Sequence, residues 1–157
     1  MSATSSTRHV HFDGHSQSAT EAPPWSLYTL MTLVAFQAIS GIAGGLGLML
    51  NPTGAPLGIP QAWLAGSPFA DYMVPGVILF AVLGVFPTVV AVALYYRVKW
   101  AFLATLAVGL GLTIWIGVEI AIIGYHVEPP LQAIYGMLGI LITALALNPK
   151  IREHLVR

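Results

Sequence analysis

Residues Trp100 to Gly124 read WAFLATLAVGLGLTIWIGVEIAIIG. About 20 apolar residues, each rising about 1.5 Å, cross the hydrocarbon core of a bilayer, so this stretch predicts a transmembrane helix. Glu119 is its only charged residue. An acid at such depth costs about 2.5 to 3.5 kcal/mol even on lenient insertion scales, so its side chain is expected to face other helices or water, not lipid. Counted back from Tyr125, Glu119 lies about 9 Å inside the helix end. Trp115 one turn earlier and His126 two turns later share its stripe.

Composition agrees with a membrane chain. The 157 residues are 57% hydrophobic and 8% charged, against about 25% charged in soluble domains. Formal net charge is zero, which gives no reason to expect nucleic acid as a partner. The absence of cysteine removes thiol–disulfide chemistry, iron–sulfur ligation and thiolate zinc sites.

Three more apolar runs flank the first. The reading is an all-α, polytopic four-transmembrane-helix bundle, with spans at about 25–50, 72–95, 100–124 and 131–147. Residues 1–24 read as a disordered tail, and 148–157 as a short basic tail. Within the first tail His9, His11, Asp13 and His15 alternate, but a site without a scaffold must also supply its ordering entropy, so no metal is assigned.

In the first span Gln37, Ser40, Gly41 and Gly44 form a small-and-polar face, and Gly41 with Gly45 reads as GxxxG, a pattern for close helix packing within a bundle or between copies. The long connection Asn51 to Asp71 carries Pro52, Pro56, Pro60 and Pro68 and continues neither helix. It predicts a short turn from Pro60 to Gly66 with Trp63 at the headgroups, then Ser67 and Pro68 as a helix start supported by Asp71. Pro87, inside the second span, kinks that helix unless a neighbour satisfies the carbonyl it frees.

Gln132, Tyr135, Gly136, Gly139 and Thr143 line one face of the fourth span. A hairpin turning near Val127 brings Glu119 level with Tyr135 and Gly136, predicting a carboxyl–phenol hydrogen bond. Arg8, Arg97, Lys99, Lys150, Arg152 and Arg157 all fall on one side of an even-numbered topology. The positive-inside rule then puts both termini in the cytoplasm of a plasma-membrane protein, and Glu119 and the long connection in the outer half.

The segments GSPFADYMVPG, WIGVEIAIIGY and QAIYG resemble those of small bacterial four-helix membrane proteins of DoxX-like architecture. The resemblance spans about residues 26 to 147 and implies a four-helix bundle in a bacterial plasma membrane. It carries no catalytic residues.

Two functions remain. In the first, Glu119 is a hydrogen-bonded acid holding the third and fourth helices together in an accessory or interaction subunit, whose partner is lipid, another membrane protein or a second copy of the chain. In the second, a small transporter or redox accessory enzyme uses an outer pocket at Glu119 for a proton, quinone or other lipophilic ligand. There His126 relays protons, Tyr135 and Gln132 orient the ligand and Trp115 lines the site. No catalytic residue and no cofactor is assigned: Ser40 and Ser67 lack an evident base, no histidine lies within a span to ligate haem, and Glu119, His126 and Glu128 match no zinc spacing.

Overall fold

The computed structural model describes residues 25–156; the expectations for residues 1–24 and Arg157, the histidine cluster included, lie outside them. Among the described residues there are helices and turns and no strand. Helix α1 is Trp25–Leu50, α2 Met73–Tyr95, α3 Ala101–Ile123, α4 Leu131–Ala146 and α5 Pro149–Val156. By length and composition α1, α2 and α3 are each sufficient to cross a membrane. Helix α4 is apolar but has 16 residues, about 24 Å of rise.

Outward faces are as apolar as the interior. Ile39, Leu103, Ile114, Met137 and Ile140 are 61–72% exposed, a surface that water penalises and hydrocarbon does not. The core is drawn from every helix, including Leu30 and Val34 of α1, Leu83 and Val90 of α2, Leu112 of α3, Ile142 of α4 and Ile151 of α5. These are the features of a membrane-embedded helical protein.

Packing is pairwise, α1 mainly on α2 and α3 mainly on α4. Gly41 and Gly45 lie against the backbones of Leu83, Gly84 and Phe80, where any Cβ would overlap. The GxxxG face is therefore filled within the chain. Inside α2, residues Ala81–Val85 form a π-turn just before Pro87. Proline has no N–H to continue the ladder, and beside this break Gln37 Nε2 of α1 donates to the Leu83 carbonyl at 3.0 Å.

The α3–α4 hairpin has a fixed register. Gly109 faces Thr143, Gly139 faces Thr113 and Gly136 faces Ile116, each pair centred on residue 126. The turn is thus one residue earlier than the expected Val127, and Glu119 falls level with Ala133, beside Gln132.

At the opposite end of the bundle Arg97 closes α2 with φ 53° and Val98 N–H donates to Ala93 O at 3.0 Å. The segment after Asn148, expected to be a plain tail, forms α5: Ile151 is fully buried and the Arg152 guanidinium lies 5.7 Å from the centre of the Phe102 ring. Tyr28 of α1, Tyr95 at the end of α2 and Tyr96 just after it line one hollow, so the start of α1, the basic α2–α3 turn and α5 share this end.

Candidate functional site

Toward the other end the two helix pairs part, and a cavity of about 600 Å³ lies between them. Glu119, Trp115 and Tyr135 line it, with Gln37, Ser40 and Gly44 from α1 and Leu79 and Leu83 from α2. Gln37 lies about 20 Å along the axis from the end of α1, whereas Glu119 lies about 6 Å from the end of α3. Gln37 and Leu83 therefore form the deep part of the cavity and Glu119 belongs near its mouth.

The connection between α1 and α2 folds over that mouth. It contributes Leu57, Ile59, Leu64, Phe69 and Tyr72 to the lining. Two short 3-10 turns, Ala55–Leu57 and Gln61–Leu64, shape it. Tyr72 ties it down, its N–H donating to Pro52 O at 2.9 Å and its hydroxyl to Pro60 O at 3.1 Å. Gly54, at φ 85°, lies where a Cβ would strike Ile59 and Tyr72. Burial first, and then the nearby Glu119 carboxylate, hold the Tyr72 phenol above its ordinary 10.0.

One expectation for this connection is corrected, and Trp63 has a partner that the sequence does not show: it stacks on His126, so its ring is held by the α3–α4 turn. Ser67 does not start a helix; its Oγ accepts the Phe69 N–H at 3.2 Å in a local turn. The start of α2 is supplied by Asp71, whose Oδ1 accepts the Met73 N–H at 2.9 Å, as its position in the sequence predicts.

One side of the cavity is open. Val118 and Ile122 of α3 and Ala43 of α1 belong to its lining, yet all three are exposed. The gap between α1 and α3 thus connects the interior to the apolar flank of the bundle. Below it, Phe36 of α1 stacks on Tyr135 with ring centres 6.5 Å apart.

The five predicted site residues separate into two groups. Glu119, Trp115 and Tyr135 reach the cavity, while Gln132 and His126 are engaged in the hairpin. Gln132 Nε2 donates to Gly124 O at 2.9 Å and to Glu119 Oε1 at 3.3 Å, and its Oε1 accepts the His126 N–H at 2.8 Å. The carboxyl–phenol bond between Glu119 and Tyr135 is therefore replaced by an amide–carboxyl bond to Gln132, because the register sets Tyr135 nearly a turn deeper. His126 lies outside the cavity lining: its Nε2 is 2.8 Å from Ile123 O and Trp63 stacks on its ring.

Among the packing residues, Gln37 has a role that spacing alone did not suggest. It is 1% exposed, its Nε2 is spent on Leu83 O, and its Oε1 has no hydrogen-bond partner among the described residues. An unpaired buried acceptor of this kind costs about 1–3 kcal/mol. The signal was present in Pro87, which announces a break in the helical ladder, but nothing in the spacing shows which residue lies beside it. No group of three or more His, Cys, Asp or Glu side chains able to hold a metal occurs among the described residues.

The fold and cavity define an all-helical, membrane-embedded protein with an internal space walled by one acid. No protein family, curated protein or solved structure matches the chain.

Proposed function

We propose that this protein is a four-helix membrane protein, DoxX-like in architecture, with both termini cytoplasmic, that takes a lipophilic molecule from the outer part of a plasma membrane into the cavity beside Glu119. The observation that carries this reading is the cavity's construction: an apolar interior, a folded roof toward the water side, and a lateral opening between α1 and α3. A pocket of this size suits one lipophilic ligand. Its entrance faces hydrocarbon, which favours a molecule already dissolved in the bilayer. The basic end formed by Arg97, Lys99 and Arg152 supports the cytoplasmic placement of the termini.

Native mass spectrometry of gently extracted protein tests the reading. Wild type is expected to carry a lipophilic small molecule that is depleted in Ala43→Phe, which narrows the opening from an exposed position. A protein bound in fixed ratio to both forms, with no small molecule, would instead establish the accessory-subunit function.

A further inference from the structure

Glu119 is the one acid in the cavity wall, and no Lys, Arg or His belongs to the lining. Its side chain is half-buried. Oε1 is the oxygen turned to the hairpin, where it accepts from Gln132 Nε2 at 3.3 Å, and Gln132 is not part of the lining. Oε2 accepts from no amide and, unlike Gln37 Oε1, is not walled off without a partner. The protein addresses this carboxyl with two neutral groups, the Gln132 amide and the Trp115 indole. A carboxylate has about four lone-pair sites, so acceptor capacity remains. His126 is the one basic group that bears on it, and that ring is held against Trp63 and Ile123 O. Arg97, Lys99 and Arg152 lie at the opposite end of the bundle.

We propose that the occupant of the cavity is a lipophilic amine, held as its ammonium with an N–H donating to the Glu119 carboxylate. The inference rests on the reading of the cavity as a lipophile site and names the chemistry of its occupant. A carboxylate among apolar groups is stabilised by an opposite charge, and since the wall supplies none, the ligand does. Other polar groups of the wall favour a donor as well. Ser40 Oγ donates to Gln37 O at 3.1 Å and the Tyr72 hydroxyl to Pro60 O at 3.1 Å, which leaves lone pairs as what these two oxygens can still offer. The shape of the site suits an amphiphile. Val118 and Ile122, which flank the lateral opening, are one residue before and three after Glu119, so a polar head entering there meets the acid near the mouth. Its chain then extends inward between Leu79, Leu83 and Leu112.

The test compares dodecylamine with dodecanol, binding to full-length protein in nanodiscs of zwitterionic lipid and corrected for uptake by empty discs. These probes share a hydrocarbon chain and differ in the charge of the head. Wild type is expected to bind the amine about tenfold more tightly. Equal affinities overturn the inference while leaving the lipophile site intact; binding of neither probe removes both. Glu119→Gln, which keeps an oxygen for Gln132, is expected to abolish the preference with dodecanol binding unchanged, and a preference that survives it overturns the inference. Glu128→Gln removes an exposed acid at the same end and is expected to preserve the preference; a loss there as large as in Glu119→Gln would mean a general attraction of cations and would also overturn it. Carbodiimide labelling of wild type gives an independent readout should Glu119→Gln fail to fold. Dodecylamine is expected to protect Glu119 from modification at concentrations at which dodecanol does not, and equal labelling with the two probes counts against the assignment.

Discussion

Trp63 lies flat on the imidazole of His126, with ring centres 3.5 Å apart and planes 5° from parallel. One ring belongs to the roof and the other to the α3–α4 turn, so the contact joins the cover of the cavity to the helix pair on its far side. His126 is a firm base for it, bonded through its N–H to Gln132. Removing either ring takes away this tie between the roof and the α3–α4 pair and leaves the apolar packing of Leu64 and the Tyr72 bonds.

Trp63→Ala is expected to raise amide hydrogen exchange across residues 55–66 several-fold, with α1 to α4 unchanged, since aromatic pairs contribute about 0.5–1.5 kcal/mol beyond buried area. His126→Ala should produce much the same pattern, and the double variant little more than either alone. Additive effects in the double variant would show that the two rings act separately.

The Gln132 amide ranks three substitutions. Gln132→Leu strands Gly124 O and the His126 N–H together and is expected to cost about 2 kcal/mol or more. Glu119→Leu removes one of two acceptors from Nε2 and should cost about 1 kcal/mol, while Glu119→Gln keeps an oxygen for it and should cost less. Unfolding in detergent gives the order; equal behaviour of the two Glu119 variants would exclude the Gln132–Glu119 bond.

Alkaline pH tests the roof through Tyr72. Its phenol is held above the ordinary 10.0 by burial and by Glu119, so the folded state keeps its proton longer than the unfolded chain does. Stability from this group is therefore constant below about pH 10 and declines as pH rises above it. Tyr72→Phe should remove part of the alkaline loss seen in unfolding curves near pH 11 while leaving those near pH 8 parallel to wild type.

Some helix ends were legible because they depend on short-range signals: α1 ends at Leu50 as hydropathy predicts, and Asp71 marks the start of α2, whereas α5 read as a plain tail and Ser67 as a helix start. The stripe containing Trp115 and Glu119 does face the interior. What spacing does not encode is position along the axis, since periodicity identifies a face and leaves register free. A turn one residue earlier was enough to exchange Tyr135 for Gln132 as the partner of Glu119. Contacts between distant segments, Gln37 with Leu83 and Trp63 with His126, leave no periodic trace at all.

The same register is decided by two glycines one turn apart on α4. At Gly139 an added Cβ would sit 2.6 Å from Thr113 Oγ1 and 3.0 Å from Gly109 O. That hydroxyl is already bonded to Gly109 O at 2.9 Å, so it cannot yield without losing the bond, and the backbone behind it cannot yield at all. Gly139→Ala is accordingly expected to cost about 1–3 kcal/mol. At Gly136 the nearest atom to an added Cβ is Ile116 Cγ2 at 3.6 Å, an ordinary contact, and alanine's helix propensity favours the change by up to about 1 kcal/mol. Thermal unfolding of the two variants should thus move in opposite directions or, at the least, destabilise only Gly139→Ala. Equal destabilisation would mean that the hairpin is not centred on residue 126, and the pairing of Glu119 with Gln132 would fall with it.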